Sequence, residues 1–343
     1  MTDTPPPSTP LTPQGLRRPK QLPIDSDVED DPLLTPLVLP SAKELWNFTG
    51  PEYLLSRGLR ADHQCLSCSL EFSDYTPAQL YELNQQLKDD SVPERPLIDA
   101  VAPMSTLRAE YENGSPSFLK QIDWLTKNGF DKVQRTKGDG DCFYRSLGYA
   151  YIESLLTSKD KDFAVASALS LLSSTKDVLE SAGIEKLVYE DFYDDFANLV
   201  GSISKPGEDG LVLNKERLLQ SFQNPEVSNS IVIYLRFVTS AHIKLNRESY
   251  EGFLVHPDTK DIMDVDSFCA NVVQAMGREA DHVEIEALCR ALYLNVDVAY
   301  LTGVRGDGVD FIKFHNRDEG EGAITLLYRP GHYDILVSNK RAA

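Results

Sequence analysis

The feature that most constrains this chain is a change of hydrophobic period near Asn295. Upstream, apolar residues recur three and four positions apart, the spacing of helices with one buried face. Phe143, Leu147, Ala150, Tyr151 and Leu155 follow Cys142 in this way, and residues 160–175 continue with Phe163, Val165, Ala166, Leu169 and Leu172. Further helices are predicted over 190–200, 265–275 and 284–294, and over 227–246, whose run Ile231-Val232-Ile233-Tyr234-Leu235 should cross the core. Downstream of Asn295 the period is two: residues 296–301, 309–314, 323–328 and 332–337 read as strands, with glycines 303, 306 and 308 in a turn between the first two. The prediction is an α+β fold, a helical body packed on a small, antiparallel-leaning C-terminal sheet.

The first third is different. Residues 1–75 read as a disordered, Pro-rich, acidic region: residues 1–40 hold half of the chain's 20 prolines and a cluster at Asp25, Asp27, Glu29, Asp30 and Asp31. Such a composition buries too little apolar area to offset chain entropy. Short helices are predicted at 41–48 and 77–90, with a linker through Pro93 and Pro96 between the latter and the next element. A helix then begins at Ser115-Pro116 and ends at Asn128-Gly129, and a strand over 131–136 feeds a Gly-rich turn. A domain is expected over 76–340, with its core in 131–338.

A net charge of −19 lacks the basic footprint that nucleic acid or an anionic membrane would require. Five cysteines are an odd number and sparse for 343 residues, which points to free thiols in a reducing compartment. Together with an N-terminus bearing neither a basic nor an apolar leader, this places the protein in the cytosol, with the nucleus also open. His63, Cys65 and Cys68 form a lone CxxC with a histidine, and no second ligand pair follows at zinc spacing. Neither a metal nor an organic cofactor is expected. Cys269 and Cys289 fall on helical faces and read as core.

The chemistry concentrates in two stretches. Lys137-Gly138-Asp139-Gly140-Asp141-Cys142 is a turn that places a cysteine on the first turn of a helix, where unpaired N–H groups and the helix dipole favour a thiolate. Near the other end, Pro330-Gly331 opens the strand from His332, and period two puts His332 and Asp334 on one face. Cys142, His332 and Asp334 can supply nucleophile, base and orienting carboxylate. His256-Pro257-Asp258 is the rival pair, but the proline sets a turn between its two side chains. His63, His242, His282 and His315 lie in irregular, helical, helix-start and strand-end settings.

These residues carry a resemblance. Asp139-Gly140-Asp141-Cys142-Phe143-Tyr144-Arg145 resembles the nucleophile motif of ovarian-tumour (OTU) cysteine proteases, and Tyr328-Arg329-Pro330-Gly331-His332-Tyr333-Asp334-Ile335-Leu336 is similar to the histidine motif of the otubain branch. The segments 234–240 and 280–283 also look like otubains. The resemblance implies an OTU, papain-like fold and a deubiquitinase that hydrolyses isopeptide bonds, preferring the linkage that marks proteins for the proteasome. It implies ubiquitin and polyubiquitin as partners, with ubiquitin-conjugating enzymes as further candidates. By position, Cys142 resembles the nucleophile, His332 the general base, and Asp334 the residue that orients it. Asp139 matches the motif aspartate, whose backbone is expected to matter more than its charge in an oxyanion hole formed by the turn's N–H groups. Otubains commonly have Asn where this chain has Asp141, and a carboxylate there is expected to disfavour the thiolate. A different Cys-His-Asp acyl-transfer enzyme, or a ubiquitin-binding module with a weak centre, are the competing readings.

Overall fold

A computed structural model describes residues 95–207, 210–304, 308–317 and 322–338. The Pro-rich region, the helices at 41–48 and 77–90 and the CxxC lie outside the described residues. Among the described residues ten α-helices and six strands follow in order: β1 (Ile98–Pro103), α1 (Met104–Glu110), α2 (Pro116–Lys127), β2 (Lys132–Thr136), α3 (Cys142–Leu156), α4 (Lys161–Ser181), α5 (Lys186–Gly201), α6 (Lys215–Gln223), α7 (Pro225–Leu245), α8 (Arg247–Tyr250), α9 (Val265–Phe268), α10 (His282–Ala291), β3 (Val296–Tyr300), β4 (Asp310–Phe314), β5 (Ile324–Arg329) and β6 (His332–Val337). The strands form one sheet in the order β1-β2-β6-β5-β3-β4, antiparallel throughout except for β3 beside β5.

Period two along the strands sorts side chains onto two faces. Val298, Leu326 and Ile335 join the helical body, in one core with Phe143 and Leu147 of α3 and Ile231 and Leu235 of α7. Their chain neighbours Ala299, Leu327 and Leu336 face the other way, against Met104 and Leu107 of α1 and Ile122 and Leu125 of α2. The sheet is therefore covered on both faces, and α7, buried along most of its length, runs through the body.

Among the described residues the predicted helices and strands form, two of the helices with local caps that explain their starts. Ser115 accepts the Ser117 N–H ahead of Pro116, and Asn224 accepts the Glu226 N–H ahead of Pro225. Four points need correction. The sheet reaches beyond the C-terminal third, because β2 pairs with β6 and draws in β1. β1 and α1 occupy what reads as linker, since Ile98 is the one fully buried residue of β1 and leaves no alternating signal. α6 buries only Leu218 and Phe222, too few for a periodic pattern. The helix over 265–275 is α9 followed by a wider turn over Cys269–Val273.

Candidate active site

The turn between β2 and α3 is built by close approach. Gly140 has φ +82°, and a Cβ on it would stand 2.2 Å from the Gly277 carbonyl oxygen, so no other residue fits without moving that backbone. Gly138 lies under the His332 ring, where a Cβ would be 3.4 Å from Nδ1. β6 runs beside α3, which brings Cys142 and His332 from opposite ends of the chain to one place. His332 Nε2 is 2.9 Å from Asp334 Oδ1. The Cys142 Sγ accepts the Tyr333 N–H at 3.4 Å, so the residue between His332 and Asp334 touches the sulfur directly.

The sulfur itself is covered: Cys142 is 1% exposed. The helix terminus was expected to favour the thiolate, and here burial outweighs it. Burial pushes the thiol up to about 12, against the Tyr333 N–H that favours the anion, with Glu279, Asp139 and Asp334 adding repulsion. At neutral pH the group rests as a thiol. Asp334 is fully buried; burial opposes its charge, but Arg329, His332 and Arg135 hold its carboxyl far below the usual range. The Thr136 N–H donates to Oδ1 at 3.0 Å and Arg329 Nη2 stands 2.8 Å from Oδ2.

A thiol, an imidazole and a buried carboxylate in this relation are the parts of a nucleophilic acyl-transfer centre. Residues 90–338 match the family model described as Peptidase C65 Otubain. This chain belongs to the otubain family. Over 253 residues it is 34% identical to OVARIAN TUMOR DOMAIN-containing deubiquitinating enzyme 1 of Arabidopsis thaliana, across 70% of this chain and 80% of the relative. Over 286 residues it is 30% identical to the Homo sapiens ubiquitin thioesterase OTUB1, across 83% of this chain and 97% of the relative. Among solved structures, the h/ceOTUB1–ubiquitin aldehyde–UBC13~Ub complex superposes with TM-score 0.65 at 27% identity, covering 76% of this chain and 97% of that one.

In this otubain the two aspartates of the turn behave differently from what the sequence led us to expect. Asp139 acts through its side chain: Oδ1 accepts the Asp141 N–H at 3.0 Å and Oδ2 pairs with Arg145 at 2.6 Å. One N–H of the turn is therefore already engaged. Asp141 pairs with Arg236 at 2.5 Å while accepting the Gly277 N–H at 3.1 Å, and Glu279, Asp139 and Asp334 are the acids that weigh most on Cys142. Arg236, 1% exposed, also donates to the carbonyls of Gly140, Val273 and Arg278 and lies 4.3 Å over the Tyr144 ring. Arg145 and Arg236 were missed from sequence, although a lone arginine inside an apolar helical run demands a buried partner and could have been flagged.

The other histidines among the described residues serve elsewhere, and His63 lies outside them. His256 Nδ1 accepts the N–H groups of Asp258 and Thr259 in an exposed turn. His315 pairs with Asp297, His242 packs on Tyr250, and His282 stacks on Tyr300 next to its helix cap Asp281. Cys269 and Cys289 are buried core thiols. A groove of about 910 Å³ opens beside the site, lined among others by Phe253, Tyr293, His282 and Glu279. Glu279 joins groove to centre: a Cβ on Gly331 would lie 3.2 Å from its carboxylate. Among the described residues no cluster of three metal-ligating side chains occurs, and no helix is long and apolar enough to cross a membrane.

Proposed function

We propose that this otubain hydrolyses the isopeptide bond between a ubiquitin C-terminus and a lysine, acting on polyubiquitin and preferring the linkage that marks proteins for the proteasome. As a member of its family it is a cysteine-type deubiquitinating enzyme, and the observation that carries the hydrolytic reading is the His332–Asp334 pair set beside the Cys142 sulfur, while the linkage preference follows from the resemblance to otubains alone.

In this mechanism the imidazole takes the Cys142 proton as substrate arrives, since burial keeps the resting sulfur neutral. Asp334 fixes Nε2, which leaves Nδ1, over Gly138, as the nitrogen that exchanges the proton. The sulfur forms a bond to the ubiquitin glycine carbonyl. Negative charge on its oxygen falls to the Cys142 N–H, unpaired on the first helical turn, and to the Asp141 N–H once the Asp139 carboxylate gives it up. Imidazolium then protonates the departing lysine amine, leaving a thioester, and water attacks with His332 as base to free ubiquitin and the thiol. Ubiquitin-conjugating enzymes are a second class of partner, supported by the otubain complexes that contain UBC13~Ub and UBCH5B~Ub.

A panel of linkage-defined diubiquitins tests both levels of this reading. Wild type should cleave the proteasome-targeting linkage fastest, and Cys142→Ser should abolish cleavage of every linkage without unfolding the protein. Equal cleavage of all linkages removes the preference; full activity of Cys142→Ser removes the nucleophile.

A further inference from the structure

Behind Asp334 lies a chain of charge that the mechanism above does not use. Arg329 donates to Oδ2 through Nε at 3.1 Å, and Arg135 Nε stands 3.2 Å from the same oxygen, as an ion pair out of line for a hydrogen bond. One carboxylate thus faces two guanidiniums. Both then reach one further acid: Arg135 donates from Nη1 and Nη2 to the two oxygens of Glu110 at 2.6 and 2.8 Å, and Arg329 Nη1 lies 3.7 Å from it. Arg95 Nη2 closes the series at 3.6 Å from Glu110. The series draws on four separate segments: the stretch ahead of β1, α1, β2 and the β5–β6 hairpin.

We propose that Glu110 is a positioning residue for the reaction: by neutralising the arginine pair it leaves Asp334 able to orient His332 and to stabilise the imidazolium. Two positive charges on Asp334 would otherwise divert its charge from the imidazole and keep the ring unprotonated. The groups facing His332 are otherwise accounted for. Asp334 comes from its own strand, Cys142 from α3, and Glu279 from the segment before α10. The nearby turn carboxylates Asp139 and Asp141 are bound by Arg145 and Arg236. Glu110 is thus the charge available to balance Arg135 and Arg329. Its side chain is 41% exposed, so the full chain tolerates an isosteric change there.

This inference rests on His332 being the base, and its test is chosen to be readable without substrate. The full-length protein, labelled in histidine, is titrated by NMR, with the His332 signal assigned by its loss in His332→Ala. Removing a negative charge disfavours imidazolium, so Glu110→Gln should move the His332 midpoint to lower pH by about half a unit. Removing a positive charge does the reverse, so Arg95→Gln should move it to higher pH by a smaller amount. Diubiquitin cleavage by Glu110→Gln should fall severalfold, with partial rescue in Glu110→Asp. Opposite shifts support the proposal. An unmoved midpoint in both variants overturns it, even where cleavage falls, because a purely structural defect lowers activity without moving the titration. Should wild type cleave no diubiquitin, the deubiquitinase reading fails while the titration still decides this one.

Discussion

The two ends of the site handle buried charge in different ways. In the turn before Cys142 each carboxylate has its own guanidinium, Asp139 with Arg145 at 2.6 Å and Asp141 with Arg236 at 2.5 Å. At the start of β6 one carboxylate, Asp334, answers to two guanidiniums and an imidazole. One-to-one pairs hold backbone: Arg236 ties the carbonyls of Gly140, Val273 and Arg278 into one knot. The shared carboxylate instead links the His332 imidazole to charges several side chains away. The turn's pairs hold shape; the strand end is where we propose that proton affinity is set.

Breaking the strand end should cost activity most. Asp334→Asn should lower diubiquitin cleavage roughly 10³- to 10⁴-fold, because the imidazole loses its tautomer and orientation. A loss below tenfold in steady-state rates would show that His332 is held by other contacts. Breaking the turn should cost stability instead. Arg236→Met leaves the Asp141 carboxylate buried without its partner, and unfolding in denaturant should show a loss of about 3–5 kcal/mol. A loss under 1 kcal/mol would contradict the view that this knot holds the turn.

A fourth carboxylate sharpens the contrast because burial dominates it. Glu284, in the capping box at the start of α10, is pushed by burial up to about 7, only partly offset by the N–H groups it accepts and by Arg236. Its folded value lies above its unfolded one, so the neutral form stabilises the fold. That contribution is complete below about 4.5 and is lost as pH rises through about 7, on the order of 3 kcal/mol in all. Glu284→Gln should flatten the stability profile across that window; an unchanged slope between pH 4.5 and 7 counts against a neutral buried acid. The smallest effect is expected at Asp141. Its carboxylate pairs with Arg236, so Asp141→Asn should change the cleavage rate no more than roughly threefold. A tenfold gain would restore the sequence-based expectation that this acid suppresses the thiolate.

Much of this arrangement was legible in the sequence, for identifiable reasons. The strands after Asn295 show as short apolar runs bounded by turns; packing on both faces makes their alternation only partial, but successive side chains still point to opposite faces, so His332 and Asp334 share one. Gly140 marks the place where the backbone approaches the Gly277 carbonyl too closely for a side chain, and Gly138 is where the turn meets the imidazole. What escaped were interactions between segments. Glu110 and Arg135 are joined through α1 and β2, one of them an element with no periodic signal of its own. The charge of Asp141 could be judged only once Arg236, 95 residues away, was seen to face it. Burial of the Cys142 sulfur was hidden likewise, because the N–H that touches it belongs to Tyr333.

In the proposed mechanism the Cys142 sulfur is the atom that accepts the ubiquitin C-terminus. Incubation of the full-length protein with ubiquitin carrying a C-terminal electrophile, followed by mass spectrometry of the adduct, tests this directly. The prediction is a single adduct on Cys142, formed at a rate that falls sharply in His332→Ala. Labelling at another cysteine, or undiminished labelling of Cys142 without the imidazole, would contradict it.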